Sequence, residues 1–186
     1  MNLEIASEGN GEIHLKVLQA ICDSDSKESM LDIGCGFAPQ TRRLGFKERH
    51  YVDIVERDLE EENEFFKHTD IFDLISTKPD KKYDVAINLD CIEHFTKEDG
   101  LKIIKWMEDN SVTQIFFTPL GDYMIEPVAT NNPDSHKSGW TPEDFQKLGY
   151  ATINFPNYHQ RLNIGAFFAF KSDNLKEKFE YVKTRL

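Results

Sequence analysis

Cysteine is scarce in this chain: Cys22, Cys35 and Cys91 are its only three, and no two stand close together. An odd, widely spaced set argues against a disulfide framework and against a zinc site built from thiolates, and it suits a reducing cytoplasm. Long apolar runs are also missing. The longest, near residues 164–170, is far too short to cross a bilayer. The first residues, Met1-Asn2-Leu3-Glu4, lack the basic-then-apolar pattern of a signal peptide. Positive charge is short as well: 22 Lys and Arg stand against 33 Asp and Glu, a net charge of -11. Arg42-Arg43 and Lys81-Lys82 are isolated pairs, so no basic patch offsets the repulsion of a phosphate backbone, and nucleic acid is not an expected partner.

What remains is a globular composition. The 186 residues are 39% hydrophobic and include 14 Phe, enough for one domain with a sizeable core spanning 1–186. No internal repeat or linker interrupts it.

The stretch Met30-Leu31-Asp32-Ile33-Gly34-Cys35-Gly36-Phe37-Ala38-Pro39 organises the rest. It reads as a buried strand, a tight glycine turn and the start of a helix, with Pro39 in the first helical position and Gly45 as its C-terminal cap. Such a corner lets a ligand lie on bare backbone. Upstream, Ile13, Val17 and Ile21 are spaced for a helix over 11–22. Downstream, residues 50–55 and 83–90 read as strands, and a weak strand precedes Asp70. Residues 97–110 read as an amphipathic helix with Leu101, Ile104 and Met107 inward. A strand over 112–118 leads into a long loop, 120–140. Thr141-Pro142-Glu143-Asp144 then opens a helix. Residues 151–155 and 165–171 pair as a closing hairpin, and 173–186 form a surface helix. Strands alternating with helices predict a three-layer α/β fold with a mostly parallel sheet.

Carboxylates stand at successive strand tips: Asp32, Asp53, Asp70 and Asp90, with Asn88, Leu89, Glu93 and His94 beside the last. Ligands of open α/β sheets lie at those tips. Asp53 can accept from a ribose diol, and Asp70 from an adenine amino group. Each also has a plainer role available: Asp32 as a turn cap, Asp53 as a solvated charge, Asp70 as a helix cap.

Taken in this order and spacing, Leu31-Asp32-Ile33-Gly34-Cys35-Gly36, Asp53, Asp70, residues 83–95 and Phe117-Thr118-Pro119 resemble the class I S-adenosylmethionine-dependent methyltransferases over roughly residues 10–171. The resemblance implies a Rossmann-like methyltransferase fold. Its seven strands are ordered 3-2-1-4-5-7-6 and end in an antiparallel hairpin. It also implies S-adenosylmethionine as cofactor, with S-adenosylhomocysteine as product. Gly34, Cys35 and Gly36 would meet its methionine part, aided by Asp32. Asp53 would bind the ribose, with Ile54 on the adenine. Asp70 and Ile71 would hold the adenine edge, and Leu89 or Asp90 the methionine end. The family's frequent third glycine is Ala38 here. The rival dinucleotide pattern needs glycine at 39, where this chain has Pro39.

Methyl transfer to oxygen or nitrogen calls for a proton acceptor, and His136, His94 and Glu93 are the candidates, with Asp90 behind them. Asp90-x-x-Glu93-His94 resembles a segment of ubiquinone-type O-methyltransferases that can hold a divalent cation. Alternatively, Glu93 and His94 only orient the next helix, and the site expected is metal-free. The Asn-Pro-Pro-Tyr motif of amino-methylating nucleic-acid enzymes is missing, so a small-molecule or glycan-like acceptor is expected. His136 and Trp140 could wall its site, or Trp140 could pack in the core. A non-catalytic, cofactor-binding subunit and a protein or nucleic-acid methyltransferase stay open as alternatives, as does the choice between monomer and homodimer.

Overall fold

The computed structural model describes residues 1–6, 11–23, 25–59, 61–123, 132, 135–159 and 164–186. Its strands are β1 (Asn2–Glu4), β2 (Ser29–Ile33), β3 (Glu48–Asp53), β4 (Glu64–His68), β5 (Tyr83–Leu89), β6 (Ser111–Pro119), β7 (Ala151–His159) and β8 (Ile164–Lys171). Its α-helices are α1 (Gly11–Cys22), α2 (Ile71–Ile75), α3 (Lys97–Asn110), α4 (Pro142–Lys147) and α5 (Leu175–Arg185). One sheet holds all eight strands in the order β1-β7-β8-β6-β5-β2-β3-β4. Neighbours pair in parallel except where β8 runs against β6 and β7. The expected seven strands thus take the expected order, and Asn2–Glu4 adds an eighth beside β7, with Leu3 opposite Ile153.

The chain leaves β2 toward β3 and β4, then returns to β5 on β2's other side. This reversal opens a crevice beyond the carboxyl ends of β2 and β5. The central strands are fully buried: β2 has no exposed position and β6 only Val112. One core layer joins α1 and α5 to the sheet, and the other joins α2, α3 and α4.

Two helices differ from the sequence expectation. No α-helix follows Pro39. Ala38 turns left-handed, at φ 50, and only a 3-10 turn over Thr41–Arg43 forms. A residue before proline avoids the α region, and Ala38 in its left-handed conformation turns the chain away from a helix that would begin at Pro39. In α3, Leu101 is exposed, whereas Gly100, Ile103, Ile104 and Met107 face the core. The stripe begins at Gly100, whose bare Cα admits the Trp140 ring. Among the described residues, no helix is long and apolar enough to cross a membrane.

Candidate functional site

The glycine turn is held by its neighbour strand. Gly34 and Cys35 both donate to the Val52 carbonyl, at 2.8 and 3.1 Å. Gly34 has φ 70, and a Cβ there would strike Cys91 Sγ. Asp53, the last residue of β3, accepts from Gly36 N through Oδ2 and from Val55 N through Oδ1, each at 2.8 Å. The carboxylate therefore fixes the turn and its own loop together, and both oxygens keep lone pairs for a ligand.

A cavity of about 520 Å³ opens at this point. Of the residues singled out in sequence, Gly34, Gly36, Asp53, Ile54, Asp70, Ile71, Asp90 and His94 line it. Asp70 also caps α2, accepting from Phe72 N at 2.7 Å through Oδ1. Asp90 sits in a left-handed conformation, φ 47, and its amide donates to Phe117 O at 2.8 Å. Its surface opens into the cavity, while the protein packed around it pushes its carboxyl up to about 6. Ile54, Val55 and Phe72 are the exposed large apolar residues of the lining, and Phe72 meets Phe95 edge-on at 5.7 Å. They form an apolar slot for a flat ring next to Asp70.

Asp32, Cys35 and Leu89 do not line the cavity. Asp32 is buried behind the turn and accepts from Thr41 Oγ1 at 2.6 Å. Burial pushes its carboxyl up to about 7; the Thr41 bond opposes this and Asp53 adds to it. Asp32 thus acts on the turn from behind. Trp140, expected as a possible acceptor wall, is 1% exposed, packed on Phe145 with the Lys97 ammonium 3.8 Å from its ring centre. The core role applies to it.

The three proton-handling candidates come together. One ligand atom from each of Glu93, His94 and His136 lies within 4.8 Å of the others. Glu93 and His94 belong to a 3-10 turn, Ile92–His94, just beyond β5. His136 arrives from the strap 135–138, which the Glu93 carbonyl pins by accepting from Lys137 N at 2.8 Å and Ser138 N at 3.1 Å. A backbone carbonyl can only accept. His94 Nδ1, 3.3 Å from Ser135 O, and His136 Nδ1, 2.8 Å from Tyr123 O, therefore carry their protons. In that tautomer Nε2 is the unprotonated nitrogen of each ring, the form of a metal ligand or a base. Glu93 is buried and accepts from Thr118 Oγ1 at 3.0 Å. Burial, then the charge of Asp90, pushes its carboxyl up to about 8. Two imidazoles and a carboxylate suit a divalent transition metal.

The loop expected over 120–140 is tied at its feet, where Gly121 N donates to Trp140 O at 2.8 Å. Residues 124–131, 133 and 134 of that loop lie outside the described residues. Sequence reading passed over Arg57, Phe72, Phe95, Thr96, Asp99 and Lys137, which also line the cavity. The exposed apolar pair at 54–55, directly after a carboxylate, was the signal available for part of it.

No family model matches the chain, and no curated protein matches it. Solved structures do. An N-methyltransferase, NodS of Bradyrhizobium japonicum WM9, is 15% identical with a TM-score of 0.63, over 86% of this chain and 93% of that one. DhpI in complex with S-adenosylhomocysteine is 13% identical with a TM-score of 0.61, over 88% and 86%. An O-methyltransferase family protein of Burkholderia thailandensis is 13% identical with a TM-score of 0.58, over 88% of this chain and 56% of that one. The chain shares the fold of S-adenosylmethionine-dependent methyltransferases.

Proposed function

We propose that this chain transfers a methyl group from S-adenosylmethionine to an oxygen of a small-molecule acceptor, and that Glu93, His94 and His136 hold a divalent cation where the acceptor binds. The observation that carries this reading is the convergence of that cluster, two imidazoles beside a buried carboxylate, with one of its members, His94, lining the cavity whose walls hold Asp53, Asp70 and Asp90.

Asp53 accepts from the ribose hydroxyls and Asp70 from the adenine amino group, with Ile54, Ile71 and Phe72 against the ring. Asp90 faces the methionine ammonium. Gly34 and Gly36 let the cofactor approach the backbone. The reaction is an in-line displacement: the acceptor oxygen bonds to the methyl carbon, the carbon–sulfur bond breaks, and sulfur keeps the electron pair. A bound cation would lower the pKa of the acceptor hydroxyl. With no cation, an Nε2 of the same two imidazoles takes that proton, the second reading favoured by their fixed tautomer.

Calorimetry tests both halves. S-adenosylhomocysteine should bind the wild type with about 7–9 kcal/mol, the micromolar range. Asp53→Ala should weaken it by about 1–3 kcal/mol. Mn²⁺ should bind the wild type, and His136→Ala should lose at least about tenfold in Mn²⁺ affinity with the cofactor affinity kept. Mn²⁺ affinity equal to wild type in both His136→Ala and His94→Ala removes the cation and leaves the base. Unchanged cofactor affinity in Asp53→Ala takes Asp53 out of the site. If S-adenosylmethionine binds but no S-adenosylhomocysteine forms with hydroxylated acceptors, the chain is a binding subunit.

A further inference from the structure

We propose that the acceptor carries an anionic group, a phosphate or a carboxylate, seated on the ammonium of Lys137; this rests on the methyl-transfer reading of the same cavity. Lys137 follows His136 in the strap, and its amide is fixed to the Glu93 carbonyl at 2.8 Å. Its side chain therefore belongs to the acceptor end of the cavity, which it lines with His94, Thr96 and Asp99.

Lys137 is only partly exposed, and it makes no ion pair among the described residues. Asp99 is the acid whose ionised form it favours, but the two do not pair. Asp99 is already engaged: Oδ1 accepts from Lys102 Nζ at 2.9 Å and Oδ2 from Thr96 Oγ1 at 2.8 Å. With 33 acidic residues against 22 basic ones, partners for a lysine are plentiful in this chain. A half-buried ammonium that lines a cavity and has no ion-pair partner among the described residues can take the anion of a ligand as its counter-charge.

The cavity's other fixed cation makes the count. Arg57 also lines it, stacked over the Phe37 ring at 4.5 Å beside the glycine turn, and its buried Nε has no hydrogen-bond partner among the described residues. S-adenosylmethionine brings one carboxylate, on its methionine part, and Arg57 stands at the turn where that part is expected. Lys137, whose amide is held by the Glu93 carbonyl, is then left for a second anion, which the acceptor would bring. The net charge of -11 repels anions at long range, so a local cation decides where one docks.

The test uses the full chain with S-adenosylhomocysteine bound and EDTA present, so that no cation contributes. Inorganic phosphate and benzoate are titrated separately, followed by NMR. At least one should bind in the millimolar range. Lys137→Gln should weaken it by about tenfold or more, and Lys137→Arg should restore it to within about threefold, with the affinity for S-adenosylhomocysteine unchanged in both. Preference for phosphate assigns a phosphate ester, and preference for benzoate a carboxylic acid. The proposal is overturned if neither anion binds the wild type, if Lys137→Gln binds as well as wild type, or if Arg57→Gln alone abolishes binding. Failure of S-adenosylhomocysteine to bind would instead defeat the methyl-transfer reading, and the same titration of the free chain would still report on Lys137.

Discussion

Two constraints meet at Gly34: a left-handed backbone at φ 70, and Cys91 Sγ in the space a Cβ would take. Gly34→Ala should therefore cost about 1–2 kcal/mol in the backbone and about 1–3 kcal/mol in overpacking. Adding Cys91→Ala should recover only the share of the packing cost due to Sγ, because the Cβ of residue 91 still stands 2.9 Å from the new one, and none of the backbone cost. Urea unfolding of the two variants checks this, and Gly34→Ala within about 0.5 kcal/mol of wild type would show that neither constraint acts. Much of the site was legible at this scale, because strand tips are where a sheet binds ligands and carboxylates there are easy to see. Asp53, Asp70 and Asp90 all line the cavity. That Asp32 is turned away from the cavity was not legible, because its partner Thr41 lies nine residues on, in a turn that no periodicity marks. Lys137 and Arg57 were missed because a single charge in a loop looks the same whether it is paired or not.

Among the elements, the well-capped helices were the legible ones. Thr141 accepts from Asp144 N, and Asp144 Oδ2 accepts from Thr141 N, a reciprocal pair at the start of α4. Thr141→Ala should cost about 1 kcal/mol in global stability. Mn²⁺ and cofactor affinities should stay within about twofold, because the strap before α4 is pinned separately by the Glu93 carbonyl. A loss of Mn²⁺ affinity in Thr141→Ala would mean that the cap also positions His136. The missing crossover helix was not legible. Pro39 suits the first helical position in general, but here Ala38 is left-handed and only a 3-10 turn over Thr41–Arg43 follows it. The edge strand β1 was missed as well. Three residues carry no period, and only their register against β7 defines them.

At the scale of the whole molecule, the sheet is covered on both faces, and the layer under α1 contains one polar ring with nothing to bond. His14 is 2% exposed, edge-on to Phe117 at 4.4 Å and tilted over Phe168 at 4.8 Å, and neither ring nitrogen has a hydrogen-bond partner among the described residues. Burial lowers its pKa from 6.5 to about 4. Above pH 6.5 the ring is neutral in both folded and unfolded chains and adds no slope. Below 6.5 the unfolded chain takes up a proton that the folded one refuses until about pH 4. Stability from this residue is thus present above its ordinary value and lost as pH falls through its folded one, by up to about 1.4 kcal/mol per pH unit. Other carboxylates in the core titrate too, so the measurement is a difference. The stability of His14→Leu relative to wild type, from urea unfolding at steps between pH 7 and 4.5, should rise steadily below pH 6.5. A difference that stays flat over that range would mean that α1 lets His14 reach water, and that this layer is looser than its packing indicates.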